Sequence, residues 1–350
     1  MTTHQNDRPI ISADSHVIEP IEELWGGLLP EDFWGEDAAE TFAQRPGGFD
    51  PNARIEEMGV DRVSAEVLYP SLAMRLFTLE DPSLQQTCFR KYNRWLADYC
   101  SVSPKRLIGV GLIPAYDMDV ALAETEWCHD NGLRGVQLWQ TPPAELPFSG
   151  QHYEPLWAAC SDLELPVSLH ILTGFDYSQR VYAIGPELAT MGELLFKLAI
   201  THKVQAAMDT LLELILSGPL DRHPRLRIVT VENEVAWLPF FLDQLDYYYD
   251  RYNGKSQIQT QRPPSETFRD QIFATFFRDP NTKFVAEKFG GRNIMWSSDY
   301  PHGNSTWPNS QEVIADRLGA LPDDLVHRIV WDNVNELFGL GLEASAPVSV

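Results

Sequence analysis

The sequence lacks the long apolar runs that mark membrane and secreted proteins. No stretch of about 18 apolar residues occurs in it, and residues 1–20 have no basic start followed by an apolar core. Its four cysteines form no C-x-x-C pair and lie mostly in helix-like apolar patterns, which favours buried free thiols. We therefore expect no signal peptide, no membrane partner and a cytoplasmic location.

Positive charge is also scarce. The chain has 27 Lys and Arg against 50 Asp and Glu, a formal net charge of −23. Such a surface repels nucleic acid and anionic membranes. A small-molecule substrate is the expected partner, and nucleic acid is not. The sequence also has no internal repeat and no low-complexity linker, so we predict one domain over residues 1–350.

Short apolar, β-branched runs alternate with longer helical patterns along the chain, which is typical of βα units with a parallel sheet. Eight strands followed by helices favour a (β/α)8 barrel, although the pattern also permits an open doubly wound sheet. Segments 20–55 and 253–266 have no clear periodicity and are predicted to be insertions or lids. The predicted strands cover residues 10–16, 62–69, 106–113, 133–139, 166–172, 226–232, 271–277 and 293–298.

Helix boundaries are indicated by capping residues and by proline and glycine. Asp81 followed by Pro82 predicts a helix start, and Ser103-Pro104 ends that helix after about Tyr99. Asn131-Gly132 and Ser217-Gly218-Pro219 mark two further ends. The other predicted helices cover residues 119–130, 153–163, 191–216, 310–319 and 323–338.

Metal-ligand residue types recur at the predicted strand ends. In a barrel these ends meet at one rim, where the chemistry of such folds is located. Asp14 and His16 alternate onto the same face of the first strand. The full set is Asp14, His16, His170, Glu232, Asp299 and His302, with Glu19 and His202 as less certain additions.

Each of these residues has an ordinary structural explanation when taken alone. Asp14 could cap a turn, His170 could bond to backbone, and Glu232 could pair with Arg227. Together they follow apolar stretches, where an unpaired carboxylate or imidazole costs several kcal/mol. A divalent cation would satisfy them jointly, because imidazole and carboxylate suit Zn, Fe and Mn. The combination therefore predicts a metal site.

The sequence resembles the amidohydrolase superfamily, in particular the amidohydrolase-related branch that includes aminocarboxymuconate-semialdehyde and resorcylate decarboxylases. The resemblance extends from Ile10 to about Leu340. It is carried by ADSHVIEP, RLIGVGLIP, GLRGVQLW, EPLWAAC with LPVSLH, LSGPLDRHPRLRIVTVENEVAWLP and NIMWSSDYPH. It implies a distorted (β/α)8 barrel of the TIM type with the metal at the strand C-termini, in agreement with the strand pattern.

By resemblance, the first-strand metal motif falls on Asp14-Ser15-His16, the fifth-strand ligand on His170, and the aspartate after the last strand on Asp299. The sequence departs from the family at Glu232, which replaces a sixth-strand histidine, and at the extra acid Glu19.

These departures give more ligands than one tetrahedral ion with an open position can use. Two Fe or Mn ions would use them, and D-x-H-x-x-E is similar to the pattern of oxygenases with this barrel. We therefore predict a dinuclear oxygenase that hydroxylates a small organic substrate. The alternatives are a decarboxylase or hydrolase with one Zn or Mn acting on a small carboxylic acid, and a non-catalytic metal-binding partner subunit.

The predicted catalytic residues are Glu232, Asp299 and His302. The strand assignments also place several residues near the barrel mouth as substrate contacts. These are Tyr69, Trp139 and Thr173, with Trp25 nearby and Arg75 or Arg180 as carboxylate partners. The resemblance further implies an oligomer, either of identical chains or with a paralogous barrel.

Overall fold

The computed structural model describes residues 8–34, 45–174, 200–253 and 260–344, together with residues 193, 196 and 197. Eight strands lie close to their predicted positions. They are β1 Ile10–His16, β2 Val63–Tyr69, β3 Leu107–Leu112, β4 Gly135–Thr141, β5 Val167–Gly174, β6 Ile228–Val231, β7 Ile272–Phe276 and β8 Ile294–Trp296.

The strands form one parallel sheet in chain order, from β1 to β8. The two outer strands meet through backbone bonds just beyond β8. Asp299 N–H donates to Asp14 O at 3.0 Å, and His16 N–H donates to Tyr300 O at 2.6 Å. The sheet is therefore a nearly closed barrel, and the predicted (β/α)8 fold is confirmed.

Helices connect the strands. The α-helices are α1 Ile21–Trp25, α2 Pro51–Asp61, α3 Pro82–Ser101, α4 Met118–Asp130, α5 Glu154–Asp162, α6 Ala207–Leu216, α7 Pro219–Arg222, α8 Leu238–Tyr252, α9 Pro264–Gln271, α10 Thr282–Phe289, α11 Ser310–Leu318, α12 Asp323–His327 and α13 Asn333–Leu337. Short 3-10 helices cover Glu31–Trp34, Pro46–Gly48 and Leu72–Thr78. Wider π-helical turns cover Thr201–Ala206 and Arg328–Asp332.

Aspartate caps start three helices of the first half, at Asp50, Asp81 and Asp117. Asp81 accepts from Ser83 N–H and Leu84 N–H with Pro82 in the first turn, as predicted. Asp117 caps α4 in the same way, so that helix starts one residue earlier than predicted. The predicted helix over 323–338 is divided by a π-helical turn. Residues 191–192, 194–195 and 198–199 of the predicted helix over 191–216 lie outside the described residues.

The strands are buried along almost their whole length, because helices cover the outside of the barrel and its own side chains fill the inside. Their apolar, β-branched composition follows from burial on both faces. No helix in the described ranges is long and apolar enough to cross a membrane.

The predicted insertions contain regular structure in their described parts. Segment 20–55 includes α1 and the start of α2, while residues 35–44 lie outside the described ranges. Gly48 O accepts from Ile18 N–H at 2.7 Å, and a Cβ on Gly48 would lie 2.4 Å from the Ile18 side chain. A glycine is therefore needed where this loop approaches the end of β1. Residues 254–259 of the second insertion are not described, and α9 begins at its end.

Candidate metal centre

Four predicted ligands converge at the C-terminal rim of the barrel. Asp14 and His16 end β1, His170 lies in β5, and Asp299 follows β8. Nε2 of His16 lies 3.4 Å from Asp14 Oδ1 and 3.4 Å from Asp299 Oδ1, and His170 Nε2 lies 3.6 Å from Asp14 Oδ1. All four side chains are buried.

Backbone carbonyls fix the tautomers of both histidines. His16 Nδ1 bonds to Pro70 O at 2.7 Å, and His170 Nδ1 bonds to Ile171 O at 2.9 Å. A carbonyl only accepts, so each Nδ1 carries the proton and each neutral ring presents the Nε2 lone pair to the centre. Metal-binding histidines are typically oriented in this way.

The side-chain atoms that face one another in this cluster are hydrogen-bond acceptors, and no hydrogen-bond donor of the described residues lies between them. Both oxygens of Asp14, Nε2 of His16 and His170, and Oδ2 of Asp299 are buried without a hydrogen-bond partner among the described residues. Two ligand atoms about 2.1 Å from one ion at a tetrahedral angle lie about 3.4 Å apart, which matches the spacings here. Buried lone pairs that face one another are unfavourable unless a cation lies between them. These spacings fit one divalent metal ion, with Asp299 joined to Asp14 and His170 through its contact with His16.

The electrostatics of the cluster agree with this geometry. Burial raises the pKa of Asp14, but the adjacent His16 and His170 rings outweigh it, so its pKa is below the usual range. Burial, followed by repulsion from His302, lowers the pKa of His16. These shifts favour the carboxylate form of Asp14 and the neutral form of His16, which are the forms that bind a metal. Burial lowers the pKa of His170, but the adjacent Asp14 carboxylate outweighs it, so the pKa of His170 is above its usual value.

Glu232 lies immediately after β6, at the edge of the same cluster. One of its oxygens lies within 4.8 Å of ligand atoms of Asp14, His16 and His170. Its partner is Lys203, at 3.3 Å, and not Arg227. Burial, and then the negative charge of Asp299, raise the pKa of Glu232 to about 7.

Both acids that follow a strand have left-handed backbone conformations, with φ of +63° at Glu232 and +57° at Asp299. Residues other than glycine adopt this region at a cost, and such strain is found preferentially at functional sites. Hydrogen bonds hold both positions. Glu232 N–H donates to Thr275 Oγ1 at 2.8 Å, and Asp299 N–H donates to Asp14 O.

His302 stands beside the cluster with both ring nitrogens engaged. Nδ1 lies 2.8 Å from Asp299 Oδ1, and Nε2 lies 3.0 Å from Ser71 Oγ. Its ring stacks on His16 with centroids 4.0 Å apart. His302 could ligate a metal only by giving up one of these bonds, so its position suits proton transfer better.

Glu19 is not in the cluster. Its oxygens accept from the backbone N–H groups of Ser71, Leu72 and Ala73 at 3.1, 2.9 and 3.2 Å. It therefore caps the 3-10 helix Leu72–Thr78, and a metal role would require breaking these bonds. Its assignment as a ligand is corrected on this ground. The side chain of His202 lies outside the described part of the structure.

The predicted substrate residues are all buried near the rim. Tyr69 OH is 2.9 Å from Ser168 Oγ, and its ring centroid is 5.3 Å from that of His170. Trp139 donates to Tyr153 OH at 3.0 Å and packs edge-on against Tyr116.

Thr173 has a structural bond in this region. Its hydroxyl donates to His170 O at 2.6 Å and accepts from Gln140 N–H at 2.9 Å, so it connects β4 to β5.

Trp25 is buried and donates to Cys88 O at 3.1 Å. Arg75 is exposed, 5.5 Å above the Phe33 ring, and Arg180 is outside the described ranges.

Sequence reasoning missed three residues that support the cluster: Ser71, Lys203 and Arg54. Arg54 is fully buried, pairs with Glu66 and donates to His16 O at 2.6 Å. Ser71 and Lys203 come from a loop and a helix whose position relative to the rim has no local sequence signal.

Comparison with known proteins gives the following results. Residues 13–340 match the family model described as Amidohydrolase. The chain is 25% identical over 318 residues to gamma-resorcylate decarboxylase of Rhizobium sp. (strain MTP-10005), covering 83% of this chain and 89% of that protein.

Solved structures agree on the fold. A 2,6-dihydroxybenzoate decarboxylase from Rhizobium superposes with a TM-score of 0.74 at 19% identity, covering 95% of this chain and 99% of that one. A dihydroxybenzoic acid decarboxylase from Polaromonas sp. JS666, with bound manganese and the inhibitor 2-nitroresorcinol, gives 0.72 at 18% identity, covering 96% and 98%.

The prediction of a dinuclear Fe or Mn oxygenase is wrong. The relatives are decarboxylases and give no support to an oxygenase or to iron. The structural reason lies in the ligand count. That prediction needed more ligands than one ion can use, and Glu19 and His302 both have other hydrogen-bond partners. The coarser prediction of a metal-dependent enzyme stands.

Proposed function

This chain belongs to the amidohydrolase family, and we propose that it is a decarboxylase that uses one divalent metal ion to remove CO2 from a small hydroxylated aromatic acid. The observation that carries the proposal is the set of donorless buried acceptors on Asp14, His16, His170 and Asp299. Its chemical class is supported by the similarity to gamma-resorcylate decarboxylase along 83% of the chain.

The four proposed ligands supply two imidazole nitrogens and carboxylate oxygens, a set that suits manganese or zinc. A bound ion would act as a Lewis acid toward the carboxylate and a neighbouring oxygen of the substrate. Two carboxylates balance the charge of a divalent ion, and Lys203 balances Glu232 at 3.3 Å. With an ion bound, the proposed site would therefore be neutral before substrate enters and would not repel an anionic substrate.

Asp299 and His302 are placed to handle the proton. Decarboxylation of a hydroxylated aromatic acid adds one proton to the ring carbon that bears the carboxylate. The bond between that carbon and the carboxylate then breaks, its electron pair returns to the ring, and CO2 leaves. The 2.8 Å bond between Asp299 Oδ1 and His302 Nδ1 lets the pair hold this proton beside the ligand cluster. Ser71 fixes the far side of the imidazole.

Glu232 and Tyr69 lie beside the proposed ligands, where we expect the substrate to bind. The Lys203–Glu232 pair places a cation at the edge of the site, where it can attract a substrate carboxylate or phenolate. The Tyr69 hydroxyl is held by Ser168, so its ring forms a fixed wall next to His170. A flat aromatic acid fits such a wall.

The test is a decarboxylation assay on protein loaded with Mn²⁺ or Zn²⁺. The substrates are 2,6-dihydroxybenzoate and other ortho-hydroxybenzoates, with benzoate as the control that lacks the neighbouring oxygen. We expect CO2 release in equal amount to the decarboxylated product, one deuterium incorporated at the ring carbon in D2O, and the same rate without O2. Asp14→Asn should abolish the reaction.

Two results would refute the proposal. One is the absence of CO2 release from every hydroxylated acid by protein that retains its metal. The other is release that persists in Asp14→Asn, since that would place the chemistry away from the cluster.

A further inference from the structure

A second concave site lies on the opposite side of the barrel from the metal centre. It is a cleft of about 660 Å³ whose walls include Arg225, Arg227, Arg269, Arg292 and Arg328. Arg227 directly precedes β6, Arg225 lies three residues before that strand, and Arg292 lies two residues before β8. Residues that precede parallel strands lie at the amino-terminal end of a barrel, whereas the metal ligands lie at the carboxyl-terminal end.

The positive charge of this cleft contrasts with the rest of the chain. Five arginines face three acids, Glu164, Asp270 and Glu336, in a protein with a net charge of −23. Asp270 is already paired with Arg262 at 2.5 Å, outside the cleft lining. Local charge is therefore in excess of what the lining acids neutralise.

Four of the arginines form no close ion pair in the parts of the chain that are described, although Asp270 and Glu164 act on Arg227 from a longer distance. Arg225 pairs with Asp162 at 2.7 Å, but no described carboxylate lies within 4.0 Å of the guanidinium groups of Arg227, Arg269, Arg292 or Arg328. Arg227 is half-buried and donates only to the backbone carbonyls of Pro224 and Leu226.

Like charges that converge without partners repel one another, and an anion relieves that repulsion. The guanidinium fork matches phosphate oxygens with two parallel hydrogen bonds.

The cleft also has an apolar part. Phe273 and Leu337 are half-buried in its wall, next to the arginines. Its volume falls within the range of roughly 300–1,000 Å³ that is usual for small-molecule sites. A ligand with a charged end and a flat or apolar body would contact both surfaces.

We propose that this cleft binds a small phosphorylated molecule with at least two phosphate groups, such as a nucleoside diphosphate. The remaining negative charge of the chain excludes long polyanions such as nucleic acid, but it does not reach a small ligand held by a local arginine cluster. The proposal is independent of the decarboxylase assignment, because no residue is shared between the two sites.

Binding is measured by isothermal titration calorimetry at low ionic strength with two probes, inorganic pyrophosphate and ADP. The protein carries Asp299→Asn, so that phosphate cannot be held by an ion in the metal centre. The test variants are Arg292→Gln and Arg328→Gln. Arg225→Gln is the matched control within the cleft, because its guanidinium is already paired, and Arg251→Gln on α8 is the control outside it.

We expect pyrophosphate and ADP to bind with a dissociation constant below 1 mM, more weakly as NaCl is added. Each test variant should weaken binding about tenfold, the usual effect of losing a hydrogen bond to a charged group. Arg225→Gln should change it less than the test variants do, Arg251→Gln should leave it unchanged, and Arg292→Lys should recover part of the loss. Thermal melts check that the variants remain folded.

Tighter binding of ADP than of pyrophosphate would identify a nucleotide, and equal binding would identify the phosphates alone as the recognised group. Both results support the site. Failure of both probes to bind, or equal weakening by Arg251→Gln and Arg292→Gln, overturns the proposal.

Discussion

Asp299 Oδ1 bonds to His302 and also faces the proposed metal ligand His16. It lies 2.8 Å from His302 Nδ1 and 3.4 Å from His16 Nε2, while Oδ2 is buried without a hydrogen-bond partner among the described residues. One side chain therefore joins the proposed metal site to the proposed proton-transfer residue. A change at Asp299 should affect both, whereas a change at the far side of His302 should affect proton transfer alone.

Ser71→Ala tests that separation. It removes the 3.0 Å contact with His302 Nε2 but no proposed ligand. We expect kcat to fall roughly 3- to 10-fold, the effect of losing a hydrogen bond worth about 1 kcal/mol, with metal content unchanged. Steady-state kinetics and metal analysis measure the two effects.

Ser71→Thr keeps the hydroxyl and should restore most of the rate. Ser101→Ala, at an exposed serine on α3 whose hydroxyl donates to Asp98 O, serves as the control. Loss of the metal in Ser71→Ala would show that Ser71 supports the ligands and not the proton-transfer residue.

Glu19→Gln tests the structural role of Glu19. Three backbone N–H groups donate to this carboxylate, so the substitution should lower the free energy of unfolding by about 1–3 kcal/mol. Metal content should stay the same, because Glu19 is outside the cluster. Urea unfolding and metal analysis are compared with Glu23→Gln, at an exposed position on α1. A loss of bound metal in Glu19→Gln alone would restore Glu19 as a ligand.

Arg54→Met tests the buried arginine beneath β1. Arg54 pairs with Glu66, donates to His16 O and lies 4.4 Å from the centre of the Tyr300 ring. Its removal leaves Glu66 charged and buried, which should cost about 3–5 kcal/mol of stability. The double variant Arg54→Met/Glu66→Leu should recover much of that loss in denaturant unfolding. Equal destabilisation of the single and double variants would argue that packing, and not the charge pair, is important here.

The buried carboxyl group of Asp61, at the end of α2, should make the free energy of unfolding depend on pH. Burial raises its pKa from 3.8 to about 6, although bonds from Ser310 oppose the shift. The folded state therefore binds this proton more tightly than the unfolded chain does. The contribution of this proton to the stability of the folded state is complete below about pH 4 and is lost as the pH rises through about 6.

Asp61→Asn cannot titrate at this position, so the free energy of unfolding of wild type minus that of this variant should fall from pH 4 to about pH 7 and level off above that. Urea unfolding of both metal-free proteins across this range measures it. A difference that stays constant over the range would contradict the shift.

The barrel and much of the metal centre could be predicted from the sequence, because both depend on local patterns. Each strand is an apolar run with clear ends, and parallel strands bring those ends to one rim. This pattern alone predicts that Asp14, His16, His170 and Asp299 lie at the same rim. Residues at strand ends have their position set by the strand itself.

The role of Glu19 and the position of Lys203 could not be predicted, because they depend on contacts between distant parts of the chain that no local sequence pattern encodes. Glu19 has the spacing of a ligand, but it turns to three backbone N–H groups of the loop after β2. Lys203 reaches Glu232 from a π-helical turn, 29 positions earlier in the chain. Counting acids and histidines therefore overestimated the ligands and suggested two ions.

Metal stoichiometry tests the central claim most directly. Protein purified without chelator and saturated with Mn²⁺ or Zn²⁺ should hold one ion per chain by plasma mass spectrometry. Asp14→Asn and Asp299→Asn should each lose it, while Glu19→Gln retains it. Two ions per chain, or an unchanged ion content in Asp14→Asn, would contradict a single centre built on the four convergent ligands.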